Sequence, residues 1–597
     1  MAPMMRFNVG NLWRMAAFIA LCAGGLVWAG SAPGQPAPAA GNSGGEAAST
    51  GAGSANALPE YFSMQPITAN VDVGEGQRLN ADSNLDDWLL YGRTYDNERF
   101  SPLTQIDRTN VRKLKPVALI QTGVQNSFED TPIVVDGIMY VETAFDHVMA
   151  YNAATGAELW SYIPKLEFSN LCCGPQARGV AIGNGKVFAA QLDGYVVALD
   201  ARSGKLLWKT DKMSMLPQPV QFYSFTMAPQ LYNGFVIVGN AGAEWPTRGF
   251  VEALDANTGK LVWRFDTTAE PGQPGGDTWS GDSWKYGGGS VWDTPAIDVK
   301  NGLIIFATGN ANPDMYGEFR KGDNAYTASI VAVRADTGKL AWWYQEVRHD
   351  LWDYDASAPV VLFDTLDEKG HTVPAAAQAG KVGSLFIINR LTGKLIRKSD
   401  PFVDIGPNFL KPPTETPTPY LPGNRGGATW SPPAFSPKNG LFYTMGLNEV
   451  HLLSARPVQP YVPGTTPRVF LGGSMALDLK KYPPSGTFSA IDVATGKIAW
   501  QYKASLPMYG GALATASDLV FAGEMDGNFD AFDAKNGKLL WQYNLGIGVC
   551  TPPITYRVKG VQYVAVGASG CHGAEEMMRD AGKSLFGDVL TIFAVPN

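Results

Sequence analysis

A short phrase that ends in tryptophan recurs along the chain and restricts the folds open to it. Each copy carries a turn with Gly and then a short apolar stretch, and an alternating apolar strand precedes most copies. An alternating strand, a glycine turn and a second strand make a β-hairpin. Such hairpins recurring at about 40–50 residues predict the four-stranded blades of a β-propeller. The copies ending in Trp lie at 154–160, 202–208, 257–263, 336–342, 494–500 and 535–541, and a degenerate copy lies at 391–397.

The repeat count predicts an all-β, eight-bladed propeller. Seven copies are visible, and residues 107–117 are interpreted as an eroded eighth. A Trp at a fixed strand end predicts that this side chain docks on the neighbouring blade, so these tryptophans are interpreted as structural. Charged residues make up only 17% of the chain and aromatic residues 11%, which suits a large buried β structure. The net charge of −8 and the lack of a basic run argue against a nucleic-acid partner.

The first residues predict export. Arg6 and Arg14 precede the apolar run 15–28, and small residues follow at 29–32. The run is short for a membrane-spanning helix, which favours a cleaved signal peptide over an uncleaved anchor. Export predicts a periplasmic protein.

The chain therefore divides into three parts. Residues 1–32 form the signal peptide or anchor, residues 33–58 form a flexible leader rich in Gly, Ala and Ser, and residues 59–597 form the propeller. Cysteines in the exported part lie where disulfides persist.

The segment His349–Asp355 is the densest group of chemically active residues. It holds one histidine and three aspartates, with Leu351, Trp352 and Tyr354 between them. In an extended segment Leu351, Asp353 and Asp355 share one face and the two aromatics share the other. Two adjacent carboxylates are costly unless a cation or a proton lies between them.

The neighbouring cysteines Cys172 and Cys173 allow two interpretations. Adjacent Cα atoms are about 3.8 Å apart, below the usual separation of a disulfide. The pair is either a strained vicinal disulfide, which export favours, or two unrelated thiols. The flat ring of such a disulfide suits one face of a planar ligand.

These segments resemble the pyrroloquinoline-quinone (PQQ) dependent alcohol dehydrogenases, the methanol and ethanol dehydrogenase family. The resemblance rests on five segments: 172–179 (CCGPQARG), 242–249 (GAEWPTRG), 287–292 (GGGSVW), Thr308-Gly-Asn310 and His349–Asp355. The resemblance covers about residues 85–597 and implies an alcohol-oxidising quinoprotein with its cofactor on the propeller axis.

PQQ is a planar orthoquinone with three carboxylates, and the resemblance implies a set of residues around it. Trp292 stacks on one face and the Cys172–Cys173 ring on the other. Arg178 pairs with a carboxylate, which its planar guanidinium matches, and Lys381 faces the quinone oxygens. The remaining cofactor-binding residues are Glu129, Thr226, Ser290 and Trp430, although Trp430 stands where the family commonly has Asn.

The resemblance also implies a metal ion and a base. Glu244 and Asn310 match the family's protein ligands to Ca²⁺, a hard cation that prefers oxygen. Asp353 contacts the metal and matches the general base that accepts the alcohol's proton. Asp355 is an additional carboxylate that lanthanide-dependent relatives carry, so the metal set is Glu244, Asn310, Asp353 and Asp355, with Ca²⁺ or a lanthanide bound.

Several properties follow from the same resemblance or stay open. The sequence has no Cys-x-x-Cys-His motif, so we expect electrons to pass to a separate periplasmic cytochrome c. Cys550 and Cys571 are interpreted as a structural disulfide in the last blade, with two free thiols as the alternative. A homodimer is compatible with the sequence. The irregular, Pro-rich stretches 401–425 and 454–485 leave the particular alcohol unspecified.

Two other functions are weighed against this one. The first is a sugar or polyol quinoprotein dehydrogenase that passes electrons to membrane quinone, a branch that generally lacks adjacent cysteines. The second is a non-catalytic propeller scaffold, which has no reason to keep Glu244, Asn310, Asp353 and Lys381 together.

Overall fold

A computed structural model gives the three-dimensional structure of the chain. It describes residues 60–63, 67–167, 171, 173–217, 222–463, 465, 469–580, 582 and 586–596. The predicted signal segment and leader, up to residue 58, lie outside the described residues, and Pro59–Asn597 constitute one compact unit. No helix in the described ranges has the length and apolar composition needed to cross a bilayer.

Short strands are the main regular structure of the described chain. The described residues also form three short α-helices, α1 (Glu75–Leu79), α2 (Lys212–Met215) and α3 (Glu575–Asp580), and five 3₁₀ helices, at Ala81–Ser83, Val111–Lys113, Ala144–Asp146, Gly276–Thr278 and Ser283–Tyr286. The strands are β1 Glu60–Ser63, β2 Phe100–Ser101, β3 Lys115–Gln121, β4 Ile133–Val135, β5 Ile138–Glu142, β6 Val148–Asn152, β7 Glu158–Ile163, β8 Ala181–Gly183, β9 Lys186–Ala190, β10 Val196–Asp200, β11 Leu206–Lys209, β12 Gln230–Tyr232, β13 Phe235–Gly239, β14 Phe250–Asp255, β15 Leu261–Asp266, β16 Ala296–Asp298, β17 Leu303–Ala307, β18 Ser329–Arg334, β19 Leu340–Gln345, β20 Val361–Leu366, β21 Thr372–Ala379, β22 Leu385–Asn389, β23 Leu395–Lys398, β24 Thr418–Tyr420, β25 Ala434–Ser436, β26 Leu441–Asn448, β27 His451–Ala455, β28 Gly473–Leu477, β29 Ser485–Asp492, β30 Ile498–Ala504, β31 Ala512–Thr515, β32 Leu519–Gly523, β33 Asn528–Asp533, β34 Leu539–Asn544, β35 Ile554–Val558, β36 Val561–Ala568 and β37 Val589–Ala594.

These strands form nine sheets within the described residues. In chain order, sheets 1 to 5 contain β4–β7, β8–β11, β12–β15, β16–β19 and β20–β23; sheet 6 contains β25, β26, β29 and β30; sheet 7 contains β31–β34. Sheet 8 contains β35–β37, and its outer strand is β3 from the other end of the described chain. Strands β1 and β2 extend sheets 1 and 7, and β24, β27 and β28 form a small accessory sheet.

Each repeat copy joins the third and fourth strands of its sheet. In the copy at 257–263, the Asp255 carboxylate accepts hydrogen bonds from the backbone N–H of Asn257 (3.1 Å) and Thr258 (2.8 Å). Gly259 then turns the chain with a φ of +69°. An acidic or amide side chain that bonds its own turn, followed by a left-handed Gly, makes a tight hairpin. This explains why the phrase keeps Gly and why Asp or Asn precedes most copies.

The repeat glycines lie against the repeat tryptophans of the preceding sheet. A side-chain carbon at Gly204 would lie 2.6 Å from the Trp160 ring, and the Trp160 indole N–H donates to the Ala201 carbonyl at 3.1 Å. The same contact joins Gly259 to Trp208, Gly338 to Trp263, Gly393 to Trp342 and Gly537 to Trp500.

Two repeat glycines lie against a residue other than tryptophan. Gly156 lies against Ile120 of β3, and Gly496 lies against Arg397 of the copy without Trp. The predicted eroded copy at 107–117 contains the start of β3, which runs on to Gln121. The glycine contacts therefore join each sheet to the next from sheet 1 to sheet 7, and Gly156 joins sheet 1 to Ile120 of sheet 8. Between sheets 7 and 8 the contact is instead that of the Trp541 and Phe593 rings, whose centroids lie 5.5 Å apart.

One segment near the start of the described chain runs past the first strands of most sheets. Trp88 forms a bridge with Val134 of β4. Backbone N–H groups of β16, β20, β25 and β31 donate to the carbonyls of residues 95, 96, 98 and 99 respectively. Because one short segment touches so many sheets, the first strands converge around it.

We predict that a matched pair of Gly→Ala variants separates two costs: that of a positive φ, and that of a clash with a tryptophan ring. Gly204→Ala meets both a positive φ of +72° and the Trp160 ring, whereas Gly234→Ala meets a φ of +78° and no atom within 4 Å. The positive φ costs about 1–2 kcal/mol in either variant. Overpacking adds about 1–3 kcal/mol at Gly204 alone.

The measurement is the urea midpoint of unfolding for both variants and the wild type. Equal losses in Gly204→Ala and Gly234→Ala would contradict the stacking of Gly204 on Trp160.

Candidate active site

The first aspartate of the His349–Asp355 segment shapes the loop between β19 and β20. Asp350 is fully buried, and its carboxylate accepts the backbone N–H of Trp352 (3.0 Å) and of Tyr354 (2.9 Å). Burial raises the pKa of Asp350 to about 6. Asp350 thus fixes the backbone on which the other two aspartates are carried.

The predicted division of this segment into two faces is correct for Trp352, Asp353, Tyr354 and Asp355. It is wrong for Leu351. Trp352 and Tyr354 stack with ring centroids 6.0 Å apart, while Asp353 and Asp355 both reach Lys381. Leu351, expected on the aspartate face, instead packs into the apolar cluster of the aromatics. The cause is the left-handed Asp353 (φ +62°), which interrupts the extended course.

Lys381 supplies a cation between the two carboxylates. Its Nζ lies 2.7 Å from Asp353 Oδ1 and 3.3 Å from Asp355 Oδ2, and all three residues are buried. Burial raises the pKa of Asp353 well above its usual range; Lys381 opposes this, and Asp355 and Glu244 reinforce it. Burial lowers the pKa of Lys381, but the two aspartates outweigh it and raise this pKa above its ordinary value.

Asn310 and Glu244 lie against the same aspartates. The Asn310 backbone N–H donates to Asp355 Oδ1 at 2.5 Å, and its side-chain amide donates to Asp314 Oδ1 at 2.8 Å. Burial, and then the charge of Asp355, raises the pKa of Glu244. The Cys173 Sγ lies 3.6 Å from Glu244 Oε2.

These residues fit a hard multivalent cation. Asn310 is fully buried, and its Oδ1 has no hydrogen-bond partner among the described residues. Glu244, Asp353 and Asp355 bring three carboxylates to a single ammonium, that of Lys381. No three His, Cys, Asp or Glu side chains in the described ranges are already clustered as metal ligands. The amide oxygen of Asn310 is a further ligand of the type that hard cations accept.

A second group of predicted residues surrounds Arg178. Its guanidinium Nη2 lies 2.8 Å from Glu129 Oε2, and Nη1 donates to Thr226 Oγ1 at 2.8 Å. The Cζ atom lies 5.0 Å from the centre of the Trp292 ring and 5.7 Å from that of Trp430. The guanidinium therefore lies close to two indoles in a buried site.

The remaining predicted residues lie at the junction of the two groups. Ser290 is buried, and its carbonyl accepts the backbone N–H of Gly309, next to Asn310. Cys173 is disulfide-bonded and partly buried. Cys172 lies outside the described residues, so the vicinal bridge stays a prediction.

The predicted Cys550–Cys571 disulfide is confirmed. It joins the segment before β35 to the segment after β36, with Cα atoms 5.5 Å apart. It packs in one apolar cluster with Trp430 and Tyr509, whose rings lie 5.1 Å apart. The bridge therefore supports the Trp430 side of the site.

Sequence reasoning missed two residues that touch the predicted ones. Asn424 donates to Asp353 Oδ2 at 3.2 Å and to the Met475 sulfur at 2.9 Å. Asp314 accepts the Asn310 amide. The signal for Asn424 was its place in the Gly423-Asn424-Arg425-Gly426 turn, six positions before Trp430.

The sequence matches a known family. The profile of the PQQ glucose/ethanol/alcohol dehydrogenase β-propeller domain matches residues 88–400 and 403–564. The quinohemoprotein alcohol dehydrogenase ADH IIB of Pseudomonas putida is 37% identical over 532 residues, covering 82% of this chain and 75% of that protein. The chain belongs to the PQQ-dependent alcohol dehydrogenase family.

Solved structures agree with this assignment. The quinohemoprotein alcohol dehydrogenase ADHIIG of Pseudomonas putida HK5 superposes with a TM-score of 0.81 and 31% identity, covering 88% of this chain and 82% of that chain. A europium-containing methanol dehydrogenase superposes with a TM-score of 0.78 and 31% identity, covering 87% and 100%. This quinoprotein is thus a β-propeller oxidoreductase that oxidises alcohols with PQQ, as the sequence predicts, and the scaffold alternative is set aside.

In this PQQ-dependent dehydrogenase we expect Lys381 to be essential for stability. Lys381→Met removes the cation and leaves buried carboxylates unpaired, which costs roughly 3–5 kcal/mol of the free energy of unfolding. Lys438→Met is the matched control, because Lys438 is 45% exposed beside Asp518, and such a pair is worth about 0–1 kcal/mol. Urea unfolding of both variants is the measurement; similar small losses would contradict the assigned role of Lys381.

Proposed function

We propose that the two groups of residues form one active site, with PQQ beside Arg178 and a metal ion beside Asp353. The observation that supports this most is the position of Lys381, whose ammonium contacts Asp353 at 2.7 Å and Asp355 at 3.3 Å. When bound beside Arg178, PQQ would supply a hydride acceptor, and a metal ion beside Asp353 would supply a Lewis acid. Lys381 supplies a fixed positive charge at this place.

The cofactor's faces and edge are assigned to separate residues. We assign Trp292 to one face and the Cys172–Cys173 pair to the other. Arg178 holds a carboxylate, since its guanidinium is already oriented by Glu129 and Thr226. Ser290 and Trp430 complete the wall.

Asp353 is the proposed general base. Its carboxylate is oriented by Lys381 through Oδ1 and by Asn424 through Oδ2. Both contacts favour the ionised form, which is the form that takes the proton of the alcohol hydroxyl. The left-handed backbone of Asp353 and the Asp350 turn fix its direction.

The metal ligands are proposed to be Glu244, Asn310, Asp353 and Asp355. A third carboxylate suits a trivalent ion, which asks for more negative ligand charge than Ca²⁺. The similarity to a europium-containing methanol dehydrogenase supports a lanthanide as the ion, with Ca²⁺ as the alternative.

The remaining assignments concern architecture and partners. The glycine–tryptophan contacts between five pairs of neighbouring sheets support eight blades that dock through their tryptophans. We propose that residues 1–32 direct the protein to the periplasm and that a separate cytochrome c there accepts the electrons. A homodimer remains part of the proposal.

Asp353→Asn is expected to lower turnover by roughly 10²- to 10⁴-fold, because the amide cannot accept the proton. Dye-linked alcohol oxidation by protein reconstituted with PQQ measures turnover, and the absorbance of bound PQQ measures occupancy. Occupancy should stay at the wild-type level. Wild-type turnover in Asp353→Asn would remove Asp353 as the base.

Asp355→Ala is expected to abolish activity reconstituted with La³⁺, because the third carboxylate is lost. The same assay with Ca²⁺ and La³⁺ measures this. Asp282→Ala is the control, since the Asp282 side chain is 79% exposed, and it should behave as the wild type. La³⁺-dependent activity that survives in Asp355→Ala would contradict the metal assignment.

A further inference from the structure

Asp293 is a buried acid that none of the assignments above uses. It follows Trp292, and its side chain is only 4% exposed. Neither carboxylate oxygen has a hydrogen-bond partner among the described residues, and its ion-pair contact is a distant one, 3.6 Å from Oδ1 to Arg178 Nε. Because a buried acceptor without partners is costly, this carboxyl group requires an explanation.

The charges around Arg178 do not balance if every acid is ionised. Glu129 lies 2.8 Å from the guanidinium and is the closer partner. Asp293 is a second carboxylate at the same single cation, in a site proposed to receive a tricarboxylate. Two ionised acids there would repel the ligand that Arg178 is placed to attract.

We propose that Asp293 is a cofactor-binding residue that is protonated in the resting protein and donates its O–H to an anionic oxygen of PQQ. This inference rests on the proposed function of the site. Hydrogen bonds from O–H to an oxyanion are short and strong. A protonated Asp293 would therefore form a hydrogen bond with a PQQ carboxylate that an ionised Asp293 would repel.

The groups facing Asp293 support a neutral acid. Burial raises the pKa of Asp293 well above its usual range; Arg178 opposes this, and Glu129 and Asp355 reinforce it. The phenol of Tyr91 is a further group on this side, and it feels the charge of Asp293. The net effect of burial and of these charges is a raised pKa for Asp293.

The test is an equilibrium titration with PQQ, followed by quenching of tryptophan fluorescence. Asp293→Asn keeps a neutral donor of the same shape, so its Kd should stay within about threefold of the wild type. Asp293→Ala removes the donor and should raise the Kd by about tenfold or more. In the wild type the affinity should fall as the pH rises through the raised pKa of Asp293, and Asp293→Asn should lack this component.

Glu252→Gln is the matched control. Glu252 is a fully buried carboxylate beside a single guanidinium, 2.5 Å from Arg264, in β14. The affinity of the Glu252→Gln variant for PQQ should equal that of the wild type. Circular dichroism and the apparent Tm of each variant exclude a difference caused by unfolding.

Several outcomes would overturn the inference. Equal weakening in Asp293→Asn and Asp293→Ala would make the ionised carboxylate the functional form. Unchanged or tighter binding in Asp293→Ala would remove Asp293 from the cofactor site while leaving the proposed function intact. The same pH dependence in Asp293→Asn would assign that proton to another group. A wild-type protein that does not bind PQQ would overturn the proposed function as well.

Discussion

The ion pairs of Lys381 with Asp353 and Asp355 are the interaction on which the rest of the site depends. Buried carboxylates in such proximity are unstable without a compensating charge. Lys381 supplies that charge from the turn between β21 and β22, where Gly426 lies against its backbone and side chain. Glu244 adds a third carboxylate to the two aspartates, so the carboxylates outnumber the one ammonium of Lys381. That excess is why these residues suit a multivalent cation, and Lys381 is why they can exist without one.

The fold makes this arrangement possible by holding distant loops rigidly. Most sheets contact the next through a turn glycine and a tryptophan ring, as Gly204 contacts Trp160. The first strands converge around the segment that follows Trp88. Residues from loops far apart in sequence, such as Arg178 and Trp292, are thereby brought to one place with their side chains already oriented. Preorganised charges of this kind are what transition-state stabilisation requires.

The sequence predicts the sheets better than the site. The glycine–tryptophan phrase is local, so its hairpins follow from turn chemistry alone, and the Cys550–Cys571 bridge follows from export. The roles of Asp350 and Asn424 do not, because a carboxylate that bonds its own loop looks the same in sequence as one that binds a ligand. The Pro-rich stretches expected to be irregular contain β24 and β28, short strands that proline obscures.

The most direct test of the account is the position of the metal ion. Crystals of the protein grown with PQQ and La³⁺, measured for the anomalous scattering of lanthanum, would locate it. We predict a single strong peak bound by oxygen atoms of Glu244, Asn310, Asp353 and Asp355, with PQQ in contact with it. A peak elsewhere, or PQQ bound at a distance from these carboxylates, would contradict the account.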